Sequence, residues 1–261
     1  MLNIKPISAF NDNYIWCLYE TDTKEALLVD PGDANEALSF LEAENLTLSH
    51  ILITHHHADH IGGVEKLKQH FDCQVVGFSQ ANYQGADIAL SEGNTITLLS
   101  LTFEVIEVPG HTLDHIAFFA AKQDSIDSPI LFCGDTLFSA GCGRLFEGTP
   151  MQMLISLNKL KSLPEATLVY CAHEYTLANL KFVTALLPND IDVSTYYAQC
   201  KEKRALGQST IPSTIDNECR INPFLGSDQN KVANAAQLFT GTIKTDPLSV
   251  FTAIRKAKDS F

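Results

Sequence analysis

The sequence predicts two β-sheets packed face to face with helices outside them, followed by a helical C-terminal region. Three observations lead there. Short apolar runs bounded by Gly, Pro, Asp and Asn fill the first two-thirds of the chain. Strand patterns outnumber helical ones and many follow one another directly, which suits two packed sheets better than one doubly wound sheet. From about residue 174 the apolar residues fall at helical spacing instead.

Element by element, Met1–Ile7 reads as the first strand and Ala26–Val29 as a strand ending at the turn Asp30-Pro31-Gly32-Asp33. Ala34–Glu44 follows as a helix, Ile51–Ile53 as a strand, Ile61–Phe71 as a helix and Gln74–Phe78 as a strand. Ile96–Leu101, Phe103–Val108 and Ile130–Cys133 are further strands, Met151–Ser162 is a helix, and Thr167–Cys171 closes the strand-rich part. Tyr175–Leu187 is helical and stops at Pro188; Ser194–Leu206 and Gln229–Phe239 follow. The last helix opens with Asp246 as N-cap and Pro247 at its first position. These patterns place a domain boundary near residue 174, dividing the chain into 1–173 and 174–261.

Composition narrows the setting. The chain has 261 residues, 45% of them hydrophobic, enough for a large core. No apolar run reaches the roughly 20 residues that span a bilayer, and the N-terminus lacks the pattern of a signal peptide. The seven cysteines include no C-x-x-C pair, which suits a reducing compartment. A net charge of −13 repels phosphate backbones. The expectation is a cytoplasmic protein that binds neither nucleic acid nor membrane, with no protein partner implied.

All nine histidines lie between positions 50 and 173. Most fall in three stretches: Thr54-His55-His56-His57-Ala58-Asp59-His60, Pro109-Gly110-His111-Thr112 and Cys171-Ala172-His173-Glu174. His55 and His57 are two apart at a strand end, so in extended backbone they point the same way and can clasp one metal. Asp59 and His60 lie one step further, where the chain turns into a helix. His111, Asp135 and His173 each follow an apolar strand. Seven candidate ligands result: His55, His57, Asp59, His60, His111, Asp135 and His173. One zinc needs three or four, so seven indicate two ions. His50, His70, His56 and His115 read as ordinary core or surface residues, with His115 also eligible to support a ligand. Asp30 reads equally as a turn former or as an orienter of a ligand.

One arrangement has His55, His57 and His111 on a first ion, Asp59, His60 and His173 on a second, and Asp135 bridging. Such a cluster keeps net positive charge, attracts a carbonyl oxygen and supplies a bridging hydroxide by lowering the pKa of water to about 7. That is hydrolysis of an ester-like bond by direct attack.

The string His55–His60, with Pro109-Gly110-His111-Thr112 and Gly134-Asp135-Thr136, resembles the metallo-β-lactamase superfamily. The resemblance implies an α+β fold, a four-layer αββα sandwich with the metals at one edge of its sheets. Ala9–Trp16, Gly134–Phe138, Gly141-Cys142-Gly143-Arg144, His173-Glu174-Tyr175-Thr176 and Arg220–Phe224 resemble, more narrowly, the hydroxyacylglutathione hydrolases (glyoxalase II). That family implies a catalytic domain over 1–173 and an all-helical substrate-binding domain over 174–261. It implies two divalent metal ions, zinc foremost with iron or manganese as alternatives. The substrate it implies is a small molecule, the glutathione thioester S-D-lactoylglutathione, split to D-lactate and glutathione. It also implies glutathione contacts from Arg144, Tyr175, Arg255 and Lys258. Two departures stand out: Phe146 where many members have an aromatic hydroxyl, and Gly226 where many bacterial members have Arg. The alternatives are an iron-dependent glutathione persulfide dioxygenase, which shares the histidine string, and a degenerate metal- or glutathione-binding module. Taken alone, Arg255-Lys256-Ala257-Lys258 reads as the basic end of a helix.

Overall fold

A computed structural model describes residues 2–241 and 246–261; Met1, assigned above to the first strand, lies outside them. The chain divides into two compact units. The first comprises residues 1–107, 114–134 and 170–173; the second comprises 108–113, 135–169 and 174–261.

In the first unit, β1 (Leu2–Ala9), β2 (Asn13–Glu20), β3 (Glu25–Val29), β4 (Thr47–Leu52), β5 (Gln74–Phe78) and β6 (Ile88–Leu90) form one sheet in that order. The hairpins β1–β2 and β2–β3 are antiparallel, whereas β3, β4, β5 and β6 run parallel. Parallel neighbours need crossovers. Two of them are made by α1 (Ala34–Ala43) and by the pair α2 (Ala58–Ile61) and α3 (Val64–Phe71). Strand alternation then divides the side chains. Ile15, Cys17, Leu28, Ile51, Ile53 and Val75 pack with Ala37, Leu41, Val64 and Leu67 of the helices.

Trp16 points the other way, into the sandwich. The second sheet takes the order β14 (Ser213–Thr214), β13 (Leu168–Cys171), β10 (Ile130–Gly134), β9 (Ile116–Ala120), β8 (Leu101–Glu107) and β7 (Thr95–Leu98). Trp16 meets the edge of Tyr170 at 4.8 Å, Tyr170 lies 5.2 Å from Phe132, and Phe132 lies 6.4 Å from Phe103. Burying each such side chain contributes on the order of 2–3 kcal/mol. Trp16 Nε1 also donates to the Cys171 carbonyl at 2.9 Å, which ties β2 to the strand leading to His173.

The second unit holds the short hairpin β11 (Leu137–Phe138) and β12 (Gly141–Cys142) and α4 (Pro150–Lys161). It also holds α5 (Thr176–Leu186), α6 (Ile191–Ala205), α7 (Ile215–Ile221), α8 (Asn230–Thr240) and α9 (Pro247–Asp259). Helix α4 opens with a capping box, Thr149 with Gln152, and Pro150 in its first turn. Asp246 caps α9 by accepting from Ser249 N–H. Glu218 of α7, fully buried, accepts from Ala140 N–H at 2.8 Å, from the Ser213 hydroxyl at 2.6 Å and from Asn222 Nδ2 at 3.0 Å. Asn222 Nδ2 also donates to the Gly141 carbonyl. A buried carboxylate is tolerated when its lone pairs are filled in this way. Burial pushes its pKa up against these hydrogen bonds. The pair anchors the turn between β11 and β12.

Two predicted elements are interrupted, and β2, β9 and α7 have no counterpart in the sequence reading. The strand expected over Ile96–Leu101 is broken by a two-residue turn, Leu99-Ser100, with φ values of 47° and 60°. That is hairpin geometry achieved without Gly or Asn. The helix expected over Ile61–Phe71 is two helices separated at Gly62-Gly63. Added Cβ atoms there would meet the Gly32 and Pro31 carbonyl oxygens at 2.8 and 2.5 Å, so the backbone passes too close for side chains.

Candidate metal centre and substrate site

In the first unit the loop after β4 and the start of α2 carry His55, His57, Asp59 and His60. His55 and His60 are almost wholly buried. Asp30, with φ 52° at the end of β3, turns its carboxylate under this loop. Its Oδ1 accepts from Thr54 N–H at 2.8 Å. Its Oδ2 takes the Thr54 hydroxyl at 2.6 Å and His60 Nδ1 at 3.0 Å. Asp30 therefore orients a candidate ligand, the second of the two roles open to it. The loop carrying it packs so closely on Asp59 that a Cβ at Gly32 would lie 1.8 Å from the Asp59 carbonyl oxygen.

These contacts fix ring protonation. A carboxylate can only accept, so His60 carries its proton on Nδ1 and presents a lone pair at Nε2. Thr54 gives its hydroxyl proton to Asp30, so its oxygen accepts from His55 Nδ1, 3.1 Å away. His55 thus also presents Nε2, which lies 3.2 Å from His57 Nδ1. Two nitrogens on one tetrahedral zinc, each about 2.0–2.1 Å from it, stand about 3.3 Å apart. His173 repeats the pattern. Its Nδ1 donates to Asp12 Oδ1 at 2.9 Å and its Nε2 is 3.5 Å from Asp59 Oδ2, which is 3.6 Å from His60 Nε2. Asn13 Nδ2 holds the same Asp59 oxygen at 3.0 Å.

His115 lies against a candidate ligand, the place left open to it, and His56 makes a structural contact. His115 is buried and stacks on His55, rings 4.6 Å apart and 15° from parallel. A Cβ at Gly134 (φ 45°) would strike Thr54 Oγ1 at 2.3 Å and the His115 ring at 2.9 Å. His56 Nδ1 is 2.8 Å from both oxygens of the buried Asp114. Sequence reasoning missed Asp12 altogether as an orienter, although it sits in the quoted string Asn11-Asp12-Asn13.

In the second unit His111 Nδ1 donates to the Arg144 carbonyl at 2.8 Å, again leaving the lone pair on Nε2, 3.5 Å from Asp135 Oδ2. A Cβ at Gly143 would meet the Asp135 carbonyl oxygen at 2.0 Å. Phe146 packs edge-on against the His111 ring at 5.2 Å and is otherwise exposed.

The four candidate substrate residues also lie in this unit. Arg144 is 65% exposed and Tyr175 is half-buried, edge-on to Phe138 at 5.2 Å. Arg255 is only 5% exposed. It donates from Nη1 to the Cys142 carbonyl and from Nη2 to Asp259 Oδ1, both at 2.9 Å, and its guanidinium lies over Phe224. Lys258 is half-buried with its ammonium 5.7 Å from the Phe182 ring centre. Burial first, then Arg255 and Arg144, hold its pKa below the usual lysine value. Gly226 is buried, and a Cβ there would meet Val232 Cγ2 at 3.2 Å.

The model of the metallo-β-lactamase superfamily matches residues 13–173, and that of the hydroxyacylglutathione hydrolase C-terminus matches residues 174–261. The hydroxyacylglutathione hydrolases of Hahella chejuensis and Pseudomonas putida are 48% and 47% identical to this chain, with complete coverage on both sides. The chain belongs to the hydroxyacylglutathione hydrolase family. The fold of this family, an α+β metallo-β-lactamase sandwich with a helical C-terminal region, is the one the sequence predicts. A solved B3 metallo-β-lactamase, BLEG-1, is 27% identical with a TM-score of 0.63, over 86% of this chain and 99% of that one. ETHE1 from Myxococcus xanthus, 23% identical, shares the fold with a TM-score of 0.65 over 100% of this chain and 99% of its own. The donor set fits the binuclear divalent metal site of such a hydrolase: the buried imidazoles of His55, His60, His111 and His173 are each held at Nδ1 so that Nε2 is offered, the half-buried His57 turns its Nδ1 toward His55 Nε2, and carboxylates lie among them.

Proposed function

We propose that this hydroxyacylglutathione hydrolase cleaves the thioester of S-D-lactoylglutathione and related hydroxyacylglutathiones to a hydroxy acid and glutathione. One observation carries the chemistry: His55, His60, His111 and His173 all present Nε2, because an acceptor holds the other side of each ring. Full-length identity to relatives of that name supports the substrate class and disfavours the persulfide dioxygenase reading.

In this reading His55, His57 and His111 hold one ion, Asp59, His60 and His173 the other, and Asp135 is shared. When bound, the ions supply Lewis acidity and hydroxide at neutral pH. Zinc is the first expectation for imidazole and carboxylate donors, which also suit iron and manganese. Asp30, Asp12, Thr54 and the Arg144 carbonyl keep the rings oriented. Residues 1–173 form the catalytic part, and 174–261 bind substrate. The setting is cytoplasmic, consistent with seven cysteines that form no disulfide. Among the described residues no helix is long and apolar enough to cross a membrane.

The test follows loss of thioester absorbance when metal-replete protein meets S-D-lactoylglutathione, with metal content measured in parallel. No turnover at two metals per chain would refute the reading.

Arg144 and Lys258, with Tyr175, are proposed to meet the glutathione carboxylates. Buried Arg255 supports them from its place on the Cys142 carbonyl. A contact remote from the scissile carbonyl is alike in ground and transition states, so its loss raises KM and spares kcat. Lys258→Ala is expected to raise KM for the glutathione thioester by about tenfold, the scale of a charge-assisted bond. A small thioester without carboxylates should be hydrolysed as before. Because its pKa is lowered, Lys258 loses its proton, and the carboxylate its partner, at lower pH than an ordinary lysine. The alkaline rise in KM should therefore begin earlier in the wild type than in Lys258→Arg. Coincident profiles would remove Lys258 from the contact.

A further inference from the structure

Asp259 is the last residue of α9. The aligned peptide dipoles leave partial negative charge at a helix C-terminus, so a carboxylate is disfavoured there. Its i,i+4 pairing with Arg255 also runs in the weaker order, base before acid. Local helix physics therefore gives no reason for an acid at this position. Its surroundings do. Asp259 Oδ1 accepts from Arg255 Nη2 at 2.9 Å and stands 3.8 Å from Arg144 Nε, with Lys258 as its chain neighbour. One partly exposed carboxylate thus sits among the two cations assigned above to substrate and the arginine that supports them.

Its grip is partial. A guanidinium binds a carboxylate best through two parallel N–H···O bonds. Asp259 meets Arg255 through one oxygen on one nitrogen, and Arg144 only at 3.8 Å. Arg255 Nε, also buried, has no hydrogen-bond partner among the described residues. The chain's own acid leaves donor capacity over.

We propose that Asp259 is an internal competitor, a carboxylate that occupies the cation cluster between turnovers and is displaced by a carboxylate of the glutathione moiety. This rests on the glutathione reading of the same cluster. Displacement needs only side-chain rotation at an exposed helix end. It weakens substrate and product glutathione alike, so the device favours product release over tight binding.

The sign of the test is the reverse of that for an ordinary binding residue. Asp259→Asn keeps an acceptor for Arg255 and removes the charge; Asp259→Ser removes both. KM for S-D-lactoylglutathione and the inhibition constant of glutathione should each fall about two- to fivefold in both variants, the scale of a partly exposed ion pair. Steady-state kinetics at low ionic strength, with thermal midpoints recorded for both, read this out. Wild-type turnover with KM unchanged or raised in both variants would overturn the inference alone and leave Asp259 as a brace for Arg255. A wild type that does not turn over the thioester would overturn the functional reading, and the inference with it.

Discussion

Asp135→Ala is expected to lower metal content from close to two ions per chain to one or fewer, and activity by about a thousandfold or more. The rate estimate follows from the 10²–10³ lost with a single preorganised electrostatic contact in other enzymes, with loss of the ions added to it. Asp135 is buried, with its Oδ2 3.5 Å from His111 Nε2. In the proposed centre it is the only ligand shared by both ions, so its removal leaves two dications without the anion between them. Chelation of the wild type should give the same loss, reversed by added zinc, whereas the variant should respond poorly to zinc. Circular dichroism would establish that the variant is folded. Full metal occupancy with near-normal turnover in Asp135→Ala would sink the shared-ligand assignment.

Thioesters should be cleaved at least about a hundredfold faster than oxygen esters of the same acyl group, judged by kcat/KM. The glutathione thiol, with a pKa near 8.5, departs as thiolate without help. An alkoxide is far more basic and needs a proton as it leaves, an assistance worth about 10²–10⁴ in rate. In the proposed centre His55, His57, His60, His111 and His173, together with Asp59 and Asp135, are all committed as ligands. None is then left to serve as that acid. Matched lactoyl esters of glutathione and of its oxygen analogue would measure the ratio. Similar values for the two would point to a protonating group and a different reaction class.

Much of the fold was legible where local chemistry acts alone. Gln74–Phe78 is a strand with the predicted bounds, and Asp246-Pro247 opens a helix as its capping chemistry requires. The turn at Leu99-Ser100 was not legible, because neither residue favours positive φ; the pairing of β7 with β8 imposes it. The role of Asp30 could not be chosen from sequence either. Its partners Thr54 and His60 are 24 and 30 residues away and meet it only once β3 and β4 pair. Asp12 was missed for the same reason, since His173 lies 161 residues further on. The candidate ligands were plain because His55–His60 is contiguous. The burial of Arg255 was readable in retrospect. It continues the stripe Val250, Phe251, Ile254 that α9 turns inward, so its charge faces Cys142 and Phe224.

Trp16 is the single tryptophan of the chain. It is buried, with its indole N–H on the Cys171 carbonyl and its ring against Tyr170. The strands it joins are those that bring Asn13 and Asp12 to His173 and Asp59. Its fluorescence therefore comes from one place, the seam on which the orientation of His173 depends. Emission from so dry a position lies toward the blue and shifts to longer wavelength when water enters. Loosening of that seam, by chelation or by substitution at Asp12, thus has an intrinsic optical signal that needs no added label.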